Sequence, residues 1–345
     1  MRTGYITFPG YSIFLLLGLI LLSPETVLAE EIYEPPVESL KVMEIMPERI
    51  PEAEPNSKIF AVIDGPRDYL SEKIVTYTKA VDEFFGDERY FQESNKSVIQ
   101  LGLNQTIAQG GNRNFLFEGK AKLDLPAAQR RFKIVLESNP EQKTAGEIKK
   151  DQPTAVKETA KPEQYAASVR YEQSEKSRWH FSSDAGAKLQ FPLDFFVRAR
   201  GSYAVPFEIW QLKVSETIFW FGTIGLGQTT QLDLERKLSE PVLFRATSTA
   251  TCLEVPQNCD LRQDFSIFHT LNERSAMLYQ ASVIGVSEPD LKETAYVLLM
   301  KYRYRLHKDW VFFEVIPQLN FPRTDDFRIN ASLLLRLEIL IGAKQ

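Results

Sequence analysis

Histidine and cysteine are scarce in this chain, and no apolar run is long enough to cross a bilayer as a helix. The three histidines, His180, His269 and His307, lie far apart. Neither they nor the two cysteines show a metal-holding spacing, so no metal and no cofactor are expected. Cys252 and Cys259 enclose only LEVPQN, which in an exported chain reads as a small disulfide-closed loop. Excess positive charge is also missing. A net charge of -5 and a pI near 5.5 argue against nucleic acid as a partner, which calls for a basic stripe. The clearest apolar run, Ile13 to Leu22, covers about half of the roughly twenty residues that a membrane helix needs. Arg2 precedes it, and Val27, Leu28 and Ala29 follow with the pattern of a signal-peptidase site, so residues 1–29 read as a removed secretory signal. Any later membrane crossing must then be made by strands.

What the chain has is alternation. In Tyr296, Leu298, Met300, Tyr302, Tyr304 and Leu306 every second side chain is apolar or aromatic, and Lys301, Arg303 and Arg305 fill gaps between them. Ile329, Ala331, Leu333, Leu335, Leu337, Ile339 and Ile341 repeat the pattern around Arg328, Asn330, Ser332, Arg336 and Glu338. A strand of this kind has one greasy and one charged face. A mean hydropathy of -0.24 is what such strands give, because the two faces cancel.

Residues 30–66 are rich in Pro and Glu without a regular period, and read as a disordered arm. Over 67–91, Leu70, Ile74, Tyr77, Val81, Phe84 and Phe85 fall at helical spacing, which predicts an amphipathic helix. Packing at the end of the following domain, entry into its mouth, and service as a plug or partner-binding helix all remain open. From 97 to 342 the period is two, with about fourteen candidate strands; short connections near Pro192 and Gly222 leave twelve as the alternative count. Counting connections from the first strand, the even ones (PAAQ, SEK, VPFE, KLSEP, LNER, HKD) are tight. Long ones, the charged stretch 139–163 and the cysteine loop, fall among the odd. Trp179, Phe191, Tyr203, Trp210, Trp220, Trp310 and Phe321 fall near strand ends, where interfacial girdles belong. The expected fold is all-β, a transmembrane antiparallel up-and-down barrel with short turns on one side of an outer membrane and long loops on the other.

Alternation places Arg198, Arg200, Lys213, Asp233, Glu235, Arg245, Lys301, Arg303, Arg305, Glu314, Arg336 and Glu338 on the lumen face. In hydrocarbon each basic group near the midplane would cost roughly 2–4 kcal/mol. Such a lumen is expected either to pass small polar or charged solutes or to be a filled scaffold that docks envelope partners. Gly225-Leu226-Gly227 has no following helix and so does not read as a phosphate loop; close packing at a strand bend explains it better. WHFSSD is the one segment with a catalytic reading, since His180, Ser182 and Asp184 share a strand face. It is similar to the His-Ser pairing of outer-membrane phospholipases but lacks their Asn-Gly after the Ser, and no Asn on 193–204 orients the imidazole. Non-enzymatic function is therefore expected, with lipid hydrolysis as a minor alternative.

The stretches FWFGTIGLGQTTQLDLERKLSEPVLFR and HKDWVFFEVIPQLNFPRTDDF, the LLLRLEILIG near the end, and FFGD at Phe84 to Asp87 resemble a family of uncharacterised proteobacterial outer-membrane barrel proteins. That resemblance implies fold and location, and no catalytic residue. It implies as partners the outer-membrane lipids and the barrel-insertion machinery. Many such barrels end in an aromatic residue; here GAKQ follows Ile341, so the insertion signal is expected within Leu335 to Ile341.

Overall fold

The computed structural model describes residues 77–86, 88–93, 97–125, 131–138, 164–173, 179–207, 209–254, 258–287, 290–308 and 310–342. The expected signal, the Pro/Glu-rich arm, residues 67–76 of the expected helix, Asp87 and the stretch 139–163 lie outside them.

Alternating strands cannot bury both faces in a small sheet, and this chain resolves the problem by closing the sheet on itself. Fourteen antiparallel strands follow one another around a closed barrel: β1 (Val98–Ala108), β2 (Arg113–Asp124), β3 (Phe132–Ser138), β4 (Tyr165–Glu172), β5 (Trp179–Lys188), β6 (Asp194–Phe207), β7 (Trp210–Phe221), β8 (Gly225–Ser239), β9 (Val242–Leu253), β10 (Asn258–Asn272), β11 (Ser275–Val286), β12 (Lys292–His307), β13 (Val311–Pro322) and β14 (Asn330–Gly342). β1 closes on β14, with Val98 opposite Gly342 and Ala108 opposite Ser332. The expected fourteen-stranded barrel is thus the fold. Both doubtful connections are real turns: β5 to β6 passes through Pro192, and β7 to β8 turns at 222–224.

Two elements differ from expectation, a strand and the leading helix. The strand expected over 263–270 starts at Asn258, where Cys259 already pairs with Cys252 across the ladder, and the two are joined by a disulfide. The cysteine connection is therefore a tight hairpin rather than a long loop. Among the odd connections the longest runs from Ser138 to Tyr165.

The two rows of side chains separate by chemistry. Outward lie Phe115 and Phe117, Val197, Ile218, Leu298, Leu337 and their neighbours, apolar and exposed. Inward lie Lys122, Arg170, Asp184, Glu235, Arg303, Glu314 and Glu338, charged and buried. A water-soluble barrel shows the reverse; this wall is made to stand in hydrocarbon. Trp179 stacks on Tyr203 at the short-turn end, where Trp210 also lies, whereas Trp220, Phe191 and Phe321 lie toward the opposite end.

Ahead of β1 come two helical segments, α1 over 77–85 and α2 (Glu88–Glu93). Gly86 between them has φ +59°, a left-handed conformation that ends α1 and is open to glycine without steric cost. A single helix expected over 67–91 is broken at this point.

Candidate functional site

Charged inward residues, many of them near the short-turn end, meet opposite charges on nearby strands. On β12 to β14, Arg303 donates to Glu314 and, through Nη2, to Glu338 Oε1 at 2.7 Å. Lys301 stands 3.9 Å from Glu314, while Arg336 donates to Asn104 Oδ1 at 2.7 Å and to Glu118 Oε2 at 3.1 Å. Across the barrel Arg198 bridges Glu137 at 2.6 Å and Asp184, and Arg170 lies 3.4 Å from the same Asp184. Lys133 and Lys122 hold Glu172 at 2.7 and 3.1 Å. Alternating sign from strand to strand lets these buried charges satisfy one another instead of water.

α1 and α2 occupy the lumen at this same end. Val81 and Phe85 pack against Leu243 on β9, Phe268 on β10, and Ala276 and Leu278 on β11. Phe91, fully buried, packs with Val98, Val135, Phe312 and Leu340, and Phe84 touches both clusters. Polar groups of the helices reach the wall between these contacts. Asp82 accepts from Arg245 Nη2 at 2.6 Å; Arg89 donates to Glu235; Glu93 accepts from Lys213; and Gln92 Oε1 accepts from Arg170 Nη1 at 2.8 Å. Burial alone would raise the Glu93 carboxyl, but Lys213, Arg89 and Arg200 outweigh it and hold the group at about 2. Its contribution to docking is present above the ordinary carboxylate range and is lost only as pH falls toward that value. Gly86 sits where a Cβ would stand 2.6 Å from Glu338 Oε1, and its carbonyl accepts from Gln100 Nε2 at 3.1 Å.

Beyond the helices the lumen widens into a cavity of about 410 Å³. Its floor includes Phe85, Gly86, Arg89 and Gln92, and Thr217, Thr229, Thr247, Thr249 and Thr251 form one wall. Arg262 donates to Asp264 Oδ1 at 2.7 Å on the adjoining wall, and Gln280 donates to Ser282 at 3.0 Å. The hydroxyls and amides here stand among charged groups such as Arg198, Lys301, Arg336 and Glu338, and each hydroxyl or amide can both donate to and accept from a solute or water.

Of the twelve residues that alternation assigns to the lumen, Arg198, Arg200, Asp233, Arg245, Lys301, Arg336 and Glu338 line this cavity. Lys213 and Glu235 instead bind the helices, Arg303 and Glu314 lie buried behind the cavity wall, and Arg305 stacks over Phe84 at 5.4 Å. His180, Ser182 and Asp184 do share the inward face of β5, but Asp184 is engaged by Arg198 and Arg170. Neither ring nitrogen of His180 has a hydrogen-bond partner among the described residues. The three do not assemble into a relay. Gly227 on β8 leaves room for the Phe219 ring, which would lie 2.3 Å from a Cβ there. Sequence reading passed over Asp82, Arg89, Gln92 and Glu93 on the helices. Their signal was the placement of polar residues beside the apolar Val81, Phe85, Tyr90 and Phe91, which a surface helix does not require. The threonine row was also passed over, although TSTATC alternates visibly.

No family model matches the chain, so the resemblance drawn from its motifs yields no family assignment, and no curated protein matches it. Among solved structures it is similar to the NanC porin, at 8% identity and TM-score 0.38 over 69% of this chain and 98% of that one. It is also similar to the outer membrane channel DcaP of Acinetobacter baumannii, at 8% identity and TM-score 0.40 over 71% and 96%. A third similar structure is the CymD monoaromatic hydrocarbon channel, at 6% identity and TM-score 0.43 over 74% and 91%.

Proposed function

We propose that this chain is an outer-membrane barrel of a Gram-negative envelope that passes small polar solutes when α1 and α2 leave the lumen, and that the docked helices are its closed state. The short turns and both helices then face the periplasm, and the threonine-lined cavity opens toward the outside. One observation carries this reading: a helical plug held by side chains of the wall, with a cavity above it that has a threonine row on one wall and charged groups around the rest. A barrel filled merely for support has no use for that cavity. Burying side chains such as Val81, Phe85 and Phe91 is worth about 1.5–3 kcal/mol each, so spontaneous opening is rare, on the order of one molecule in a thousand or fewer.

The test is conductance of the full chain in planar bilayers. Wild-type protein is expected to show brief, infrequent openings, and the double substitution Phe85→Ala with Phe91→Ala to raise the open fraction at least tenfold. Folded, heat-modifiable double variant with no conductance would reject the channel and leave a filled scaffold.

A further inference from the structure

One arginine of the cavity stands apart from the rest. Every other arginine that lines it forms an ion pair with a carboxylate, as Arg198 does with Asp184 and Arg262 with Asp264. Arg200 on β6 has no ion pair and no hydrogen bond among the described residues, and its Nε is buried without a partner. A buried donor in that state is destabilising unless something from outside the chain meets it.

The groups around Arg200 are hydroxyls. Ser182 on β5 and Thr217 on β7 stand opposite it across the two ladders, and all three line the cavity. Ser215, the next inward residue on β7, also lines the cavity; it is 3% exposed, and its Oγ has no partner among the described residues. Carboxylates in the neighbourhood are committed elsewhere, Asp184 to Arg198 and Arg170, and Glu93 to Lys213. Around the cavity as a whole Arg and Lys outnumber Asp and Glu, although the chain carries a net charge of -5.

The planar fork of a guanidinium matches the two oxygens of a carboxylate, and hydroxyls beside it add donors at the flanks. A neutral sugar would fit the hydroxyls and leave the cation uncompensated. A phosphate dianion brings two charges to one uncommitted cation, whereas a carboxylate brings one. We propose that Arg200, with Ser182, Ser215 and Thr217, binds the carboxylate head of a small organic acid that enters the cavity. This rests on the reading of the cavity as the place where a solute waits, and it gives that solute its charge.

Butyrate binding to full-length wild-type protein in nanodiscs, followed by saturation-transfer NMR with empty nanodiscs as the blank, tests the proposal without needing an open lumen. Binding is expected, with displacement by acetate, none by glucose, and displacement by inorganic phosphate only at concentrations at least tenfold higher. Arg200→Gln removes the charge, and Thr217→Glu sets a carboxylate opposite Arg200 that pairs with it from within the wall. Each is expected to weaken butyrate binding at least tenfold in a barrel that keeps heat-modifiable mobility; if Arg200→Gln does not fold, Thr217→Glu decides. A wild type that does not bind butyrate would overturn the site, as would full affinity in the Thr217→Glu variant, or glucose or phosphate displacing butyrate as readily as acetate does. Butyrate bound to the wild type with no conductance from the Phe85→Ala, Phe91→Ala variant would keep the site and reject the channel. Conductance from that variant with no butyrate bound would reject the site and keep the channel.

Discussion

The two halves of the lumen are built from the same alternating strands and differ in what their inward residues do. Toward the short turns Arg303 is packed into buried pairs with Glu314 and Glu338, and Lys213, Glu235 and Arg245 are held by α1 and α2. Toward the loops Thr229, Thr249 and Thr251 line open space. On β7 to β9 the charges of Lys213, Glu235 and Arg245 thus meet the plug while a threonine row faces the cavity, to which Arg198, Lys301 and Arg336 add charge from other strands. Lumen charges in a barrel are therefore not by themselves a selectivity filter. In this chain many of them serve first to hold the wall and the plug together.

Three substitutions press on that difference. Arg303→Ala leaves Glu314 and Glu338 short of their shared cation and is expected to cost about 3–5 kcal/mol of barrel stability, read by denaturant unfolding in lipid. Gly86→Val forces a β-branched residue into φ +59° against Glu338, and is expected to weaken helix docking by about 1–3 kcal/mol, seen as faster proteolysis within 77–93 while the barrel stays folded. Thr249→Val, in the open half, is expected to change stability by no more than about 0.5 kcal/mol in the same unfolding assay. A Thr249 cost equal to that of Arg303 would erase the distinction between the halves.

Much of the barrel was legible in the sequence because a period of two carries face assignment directly: Tyr296 to Leu306 face out and Lys301, Arg303 and Arg305 face in. Strand ends were harder. β10 begins at Asn258 rather than 263, and Asp260 and Arg262 on its inward row give that first stretch the polarity of a loop. Partnership was not legible at all, since period says which face a residue takes and not which strand stands opposite. Arg303 with Glu338 and Arg89 with Glu235 depend on register and on chain segments far apart in sequence. Helical spacing over 77–85 likewise named an apolar face without naming its cover. Only a closed wall bearing Leu243, Phe268 and Leu278 supplies it.

Hydrogen exchange of the backbone amides in 88–93, measured on full-length protein in nanodiscs, tests the docked helix most directly. Strong protection is expected in the wild type, falling sharply in the Phe85→Ala, Phe91→Ala variant while strand amides stay protected. Wild-type exchange at the rate of an unstructured peptide would contradict a lumen closed by these helices.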